Sequence, residues 1–297
     1  MIKKILKRSL NRAAEIFGWQ IVFLPKNSTA RTTAVKSDLG FWYAGNVFDS
    51  SDIAYGVFRN GLVEEMETNL VVRVLNTISE AVNGLHFYDI GANSGYYGIL
   101  AAFLGKDKTK TFSFEPLKEY VNLIKDSVDI NHLENSVKVF TTALGASESS
   151  GVIQISGSGS SLVPGFLGKD NPCPTREITI QKLDDIVKTQ NLPLPHFIKI
   201  DVEGFELAVL RGSESTIKQA KPVLFIEVAN TLITTHGKFV NTEARVVFDL
   251  LAGLGYNAFI VKETIEAINT VSNDTGVYMY LFLNNENPLH EKIKQSL

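Results

Sequence analysis

Residues 85 to 105 read LHFYDIGANSGYYGILAAFLG, and this stretch constrains the fold more than any other in the chain. Leu85 to Ile90 is a short apolar run with aromatics, the pattern of a buried strand. Asp89 stands near its carboxyl end. Gly91, Asn93, Gly95 and Gly98 follow, in a turn whose residues tolerate positive φ or leave room for a ligand. Ser94 is suited to cap a helix, and Tyr96 to Leu104 is apolar enough for a helix buried against a sheet. Strand, glycine turn and helix make the nucleotide-binding unit of an open α/β sheet. Its ligand lies outside the carboxyl ends of the strands, close to a helix N-terminus.

The turn departs from the dinucleotide fingerprint, Gly-x-Gly-x-x-Gly. Asn93 stands where the second glycine would allow a pyrophosphate against bare backbone, and Asp89 would repel one. A ligand with a cationic or hydrogen-donating group suits Asp89 better. S-adenosylmethionine has both, in its sulfonium and α-amino groups, and its adenosine carries no phosphate. Thr111 to Glu115 (TFSFE) reads as a second strand ending in an acid, 20 residues after Gly95. An acid at about that spacing takes ribose hydroxyls. His196 to Gly204 (HFIKIDVEG) reads as a third strand, ending in Asp201 and Glu203. Carboxylates at three strand ends point to one convergent site.

Three segments in this order, FYDIGANSGYY (87–97), FEP (114–116) and IKIDVEGFE (198–206), resemble the FkbM family of S-adenosylmethionine-dependent methyltransferases. The resemblance covers roughly residues 60 to 285. It implies a class I methyltransferase fold: a Rossmann-like, doubly wound sheet, mostly parallel, with one antiparallel strand near the end. It also implies O-methylation of a hydroxyl on a sugar, polysaccharide precursor or secondary metabolite, with S-adenosylhomocysteine as product. The expected cofactor residues are Asp89, Gly91, Ala92, Asn93, Gly95, Glu115, Pro116, Leu144 and Asp201. Leu144 lies in the loop that runs along the adenine ring in methyltransferases of this shape. The expected catalytic residues are Asp201, holding the cofactor end, and Glu203, facing the acceptor as the base that takes its proton. For Glu203 the plainer role is a cap on the following helix. His236 is a weaker base candidate. A nicotinamide-dependent oxidoreductase on a similar sheet and a non-catalytic cofactor-binding scaffold are the competing classes. A metal-dependent methyltransferase is a further variant.

Composition narrows the field. The chain has 297 residues, of which 44% are hydrophobic and 21% charged, enough for a full core. The net charge of −3 argues against a nucleic-acid partner. The single cysteine, Cys173, excludes a disulfide framework or a cysteine zinc site, and the five histidines lack metal-ligand spacing, so no metal is expected. No apolar run approaches the roughly 20 residues of a membrane span, and the first residues lack a signal-peptide pattern. A cytoplasmic protein is the default expectation.

Residues 1 to 60 read as an N-terminal extension, and 61 to 297 as the methyltransferase-like domain. A basic amphipathic helix is expected over 1 to 19. It either lies on an anionic membrane surface as a peripheral contact or docks on the domain or on a second subunit of a homodimer. Ile21 to Leu24 suggests a short strand, Ser28 to Ser37 a loop. The aromatics from Phe41 to Phe58 form either a lid or apolar cover for the sheet. Helices are expected over Glu64–Leu75, Leu117–His132, Gly204–Ala220 and Asn241–Gly253, with a short one from Leu183 whose first turn Asp184 and Asp185 serve. Strands are expected over Val137–Thr141, Val223–Val228, Tyr256–Val261 and Gly276–Phe282, with Glu227 facing the site. Residues 145 to 181 read as an inserted β-hairpin, Gly151–Ser156 with Glu177–Gln181, around a loop rich in Gly, Ser and Pro. This insertion would flank the acceptor, with Ser160 and Ser161 as polar contacts.

Overall fold

The computed structural model describes residues 33–168, 172–234, 237–262, 264–273 and 276–297. The expected helix at 1–19, the strand at Ile21–Leu24 and His236 lie outside the described residues. Thr33–Lys36 (β1) and Trp42–Gly45 (β2) pair antiparallel. They precede the helices Ile53–Asn60 (α1) and Glu65–Ala81 (α2). Within the loop expected at 28–37, residues 33–36 form β1. The docking of the β1–β2 pair is specific. Asn131 accepts from Trp42 N and donates to Trp42 O, as a strand neighbour would. Ser127 Oγ accepts from Ala44 N. Phe41, Tyr43 and Val47 are buried in the main core, so this part of the aromatic stretch covers the sheet.

The central unit follows as expected: Leu85–Ile90 (β3), Tyr96–Gly105 (α3), Thr109–Phe114 (β4), Lys118–Asn131 (α4) and Val137–Phe140 (β5). Ser94 is not the helix cap. That position is Gly95, at φ 87°, where the side chain of Ile124 would collide with any Cβ. Next come Ala143–Leu144 (β6), Ser149–Gln154 (β7) and Thr175–Gln181 (β8), a separate three-stranded sheet with the expected hairpin between β7 and β8.

Leu183–Thr189 (α5) leads to Phe197–Ile200 (β9). The helix expected over 204–220 is two helices, Glu206–Arg211 (α6) and Glu214–Ala220 (α7). The break is at Gly212, where a Cβ would lie 1.9 Å from the carbonyl oxygen of Gly145. Asp184 and Asp185 stand in the first turn of α5 as expected, and Asp184 also accepts from Ser215 N and Thr216 N at the start of α7. Val223–Thr234 (β10) outruns its expected length because its far end pairs with Gly237–Val240 (β11). Ala244–Gly253 (α8) and Tyr256–Val261 (β12) are as read. An extra strand, Ile265–Ile268 (β13), pairs with β12 before Gly276–Asn284 (β14) and His290–Ser296 (α9).

The main sheet runs β13-β12-β14-β10-β9-β3-β4-β5, with β11 on β10. Pairings among β5, β4, β3, β9 and β10 are parallel, and β14 is antiparallel to both β10 and β12. Setting aside the edge additions β11 and β13, this is the expected seven-stranded sheet with one antiparallel strand. Strands covered on both faces need apolar residues at successive positions. Phe87, Phe197, Phe225 and Leu281 point to the core under α2 and α3. Tyr88, Ile198, Leu224, Ile226 and Phe282 point to the core under α6, α7 and α8. Among the described residues no helix is long and apolar enough to cross a membrane.

Leu281 on β14 is fully buried in the first of these cores. Leu281→Ala should lower unfolding stability by about 2–5 kcal/mol, read from urea titrations. A loss below about 1 kcal/mol would mean that β14 is not the packed centre it resembles here.

Candidate active site

The carboxyl ends of β3, β4, β9 and β10 open into a cavity of about 340 Å³. Volumes of this order hold a nucleoside-sized ligand. Its walls include Gly91, Ala92 and Asn93 after β3, Glu115 and Pro116 after β4, Leu144 on β6, and Asp201 and Glu203 after β9. Two expected residues lie elsewhere. Asp89 is buried beneath the turn, where its Oδ2 accepts from Gly98 N at 2.9 Å, so it braces the start of α3 and does not face the cavity. Burial pushes its carboxyl up to about 6. Gly95, against Ile124, is likewise a packing position outside the lining.

Gly91 is at φ 73°, and a Cβ there would sit 1.8 Å from the carbonyl oxygen of Asp201. No other residue type fits between these two loops. Glu115 is almost fully buried. Oε2 accepts from Asn93 N (2.9 Å) and Oε1 from Leu117 N (2.8 Å). It therefore ties the glycine turn to the start of α4 while keeping acceptor capacity on both oxygens. Burial pushes it up to about 8, against those two bonds.

On the other side lies an acidic cluster. Asp201, Glu203 and Glu227 each bring a carboxylate oxygen within 4.8 Å of the other two. Glu203 sits at φ 51°, a left-handed conformation unusual for a side-chain-bearing residue, followed by Gly204 at φ 95°. Hydrogen bonds to the Glu203 and Glu227 carboxyls are absent among the described residues. Burial raises both above the carboxylate range, and Asp201 beside them adds to it. The helix-cap role weighed for Glu203 belongs to Glu206, whose Oε1 accepts from Gly204 N at 2.7 Å.

The cation of the cluster is Lys199 on β9, a residue that the sequence reading passed over. Its Nζ donates to Asp201 Oδ2 at 2.7 Å and lies 4.8 Å from the ring centre of Tyr97. Burial works against its charge, but Asp201, Asp89 and Glu64 outweigh this and hold the ammonium above its ordinary value. The signal was present: a lysine inside FIKI, a strand buried at every position, needs a partner. Divalent cations also bind oxygens clustered in this way. Here the ammonium already holds Asp201, and we assign no metal. Glu64 joins the rim and accepts from Tyr97 Oη at 2.6 Å.

The roof comes from two segments. Ser50 to Gly56, around the start of α1, covers one side. The loop of the insertion covers the other, and Tyr120 Oη donates to Gly157 O to hold it down. Ser160 lines the cavity. Ser161 does not: it is fully buried, and its Oγ donates to the Glu203 carbonyl at 2.6 Å. Part of the aromatic stretch at 41–58 therefore lines the cavity, through Tyr55.

These residues suit the adenosyl sulfonium ligand expected from sequence. A bare-backbone turn, a carboxylate with spare acceptor capacity, the apolar Leu144 and an acidic far wall lie in one cavity of sufficient size. Lys199→Met would leave Asp201 beside two more carboxyls without its cation. It should lower stability at neutral pH by about 3–5 kcal/mol, measured by denaturant unfolding. An unchanged midpoint would mean the pair is not what balances the cluster.

The sequence matches the model of the methyltransferase FkbM domain over residues 89–257. Hexuronic acid methyltransferase AglP of Haloferax volcanii is 27% identical over 154 residues, 52% of this chain and 59% of that protein. The match therefore spans less than two thirds of that relative's length. Among solved structures, methyltransferase FkbM from Methylobacillus flagellatus KT aligns at a TM-score of 0.44 and 19% identity, over 67% of this chain and 44% of that one. A SAM-dependent methyltransferase from Agrobacterium tumefaciens aligns at 0.47 and 10%, over 91% and 75%.

Proposed function

The chain belongs to the methyltransferase FkbM domain family, and from that premise we propose that it moves the methyl group of S-adenosylmethionine to an acceptor hydroxyl. The observation that carries this reading is convergence. Gly91 to Asn93, Glu115 and Pro116, and Asp201 to Glu203 are far apart in sequence, lie inside the matched residues and line one cavity. The acceptor class is a sugar, a polysaccharide precursor or a secondary metabolite; the resemblance to a hexuronic acid methyltransferase supports a saccharide.

When bound, S-adenosylmethionine supplies a methyl group already activated by the sulfonium charge. The protein then has to position two partners and exclude water. Gly91, Ala92 and Asn93 offer close backbone, and Glu115 offers its remaining lone pairs to the ribose hydroxyls. Pro116 and Leu144 give apolar surface on the adenine side. Asp201, fixed by Lys199, faces the charged end of the cofactor. Glu203 takes the hydroxyl proton, a task suited to a carboxyl raised toward neutral pH. Ser160 and Leu162 from the insertion line the acceptor side.

Calorimetric titration with S-adenosylmethionine, S-adenosylhomocysteine and NAD tests the donor. The expected result is binding of both sulfur ligands and none of NAD. NAD binding alone would select the oxidoreductase reading. Glu115→Ala should weaken S-adenosylmethionine by about 1.5–3 kcal/mol, tenfold or more; an unaltered affinity would remove Glu115 from the site. With an acceptor in hand, Glu203→Gln should lower turnover by roughly 10²–10⁴, and wild-type turnover would refute its role as base.

A further inference from the structure

The acidic wall contains more carboxyls than positioning requires. Glu227 stands on β10, next to β9, with Ile226 in register with Ile200 and Glu227 therefore beside Asp201. Its carboxyl and those of Asp201 and Glu203 lie within 4.8 Å of one another. Lys199 Nζ bonds only Asp201 in this trio, at 2.7 Å. Two carboxyls remain, half-buried in the cavity wall, without a hydrogen bond among the described residues and without a cation of their own.

Lys199, bonded to Asp201, is close enough to lower both, but the other charges packed around them add no cation. From α2 comes Glu64, from α6 Glu206, and from β3 the buried Asp89, all acidic. Tyr97 on α3 donates its hydroxyl to Glu64. Two carboxyls at such separation cannot both ionise cheaply in a poorly solvated wall, so the empty cluster retains a proton near neutral pH. A cation entering the cavity reverses that preference.

We propose that Glu203 and Glu227 form a proton-holding pair that releases a proton when the positively charged methyl donor binds and does not do so for its neutral thioether product. This rests on the donor assignment above and extends it in two ways. It gives Glu227 a role: a positioning residue that sets the charge state of Glu203. It also makes the cluster discriminate donor from product by charge. Donor binding leaves Glu203 ionised, ready for the hydroxyl proton. On transfer the carbon–oxygen bond forms, the carbon–sulfur bond breaks with its pair left on sulfur, and the hydroxyl proton passes to the pair. With the sulfonium charge gone, the pair keeps that proton.

The sign follows from linkage. A carboxyl whose pKa is high in the empty site and lowered by a cationic ligand makes that ligand bind more tightly as pH rises between the two values. Affinity for S-adenosylmethionine should therefore rise from pH 6 to 8, by up to about tenfold per unit for one linked proton. The product shares the donor's amino and carboxylate groups, so the difference between the two ligands isolates the sulfonium charge.

The experiment is calorimetric titration of the full chain at pH 7 with each ligand, in buffers of different ionisation enthalpy. S-adenosylmethionine should release roughly one proton more than S-adenosylhomocysteine. Glu227→Gln should reduce that difference, and Glu203→Gln with Glu227→Gln should abolish it while S-adenosylhomocysteine still binds. Equal proton exchange for both wild-type ligands would overturn the proposal while leaving the donor assignment intact, and needs no variant to fold. A double variant that still releases the proton would overturn the choice of residues. Failure of both ligands to bind the wild type would defeat the donor assignment, and this inference with it.

Discussion

Gly91 and Asp201 touch backbone to backbone. A Cβ on Gly91 would lie 1.8 Å from the Asp201 carbonyl oxygen, and Asp201 N donates to Ile90 O at 3.0 Å. The cavity depends on this contact. From β3 the sheet proceeds to β4 and β5 on one side and to β9 and β10 on the other. The loops leaving β3 and β9 therefore part at a topological switch point, where open α/β sheets hold their ligands. A side chain between these loops would separate the glycine turn from the acidic wall. Glycine keeps both within reach of one small molecule.

That closeness has an electrostatic consequence. Asp89, Asp201, Glu203 and Glu227 crowd the ends of three adjacent strands, and Lys199 is the ammonium set among them. An isolated buried ammonium costs several kcal/mol. Here the carboxylates more than offset it, and the lysine in turn holds Asp201 in place. The balance is local, however. Lys199 neutralises one carboxylate by direct contact, and the rest of the wall remains short of positive charge. Such a wall favours a cationic ligand.

The sheet was legible in the sequence because strands buried on both faces leave uninterrupted apolar runs, and glycine or proline marks their ends. Strand β3 and helix α3 were read at or near their observed bounds on that basis, and the β7–β8 hairpin from the apolar–polar alternation of half-exposed strands. Two of the misses share one cause: the deciding contact was distant. The helix after Gly204 breaks because Gly212 must clear Gly145, some 67 positions earlier. Asp184, in the first turn of its own helix, also accepts from the start of a helix 30 residues further on. Asp89 seemed a ligand because it ends a strand near a glycine turn, yet Gly98 N lies closer to it than the cavity does. Strand β13 has only four residues, too few to show a period.

The two halves of the cavity differ in how they could be found. The half assigned to the cofactor is made of consecutive residues after single strands, so short motifs such as DIGAN and FEP reveal it. The other half is assembled from the start of α1, Glu64, the insertion loop, Glu203 and Glu227, which lie in five separate parts of the chain. No motif can encode such a surface. Only the parallel register that brings Ile226 beside Ile200 makes Glu227 a neighbour of Asp201. Reaction type follows from the first half and acceptor choice from the second, which is why a family resemblance carries the donor further than it carries the acceptor. The insertion strengthens that asymmetry. It is anchored by Tyr120 and by the Ser161 bond to the backbone of Glu203, so a change in its loop would act directly on the residue proposed to take the proton.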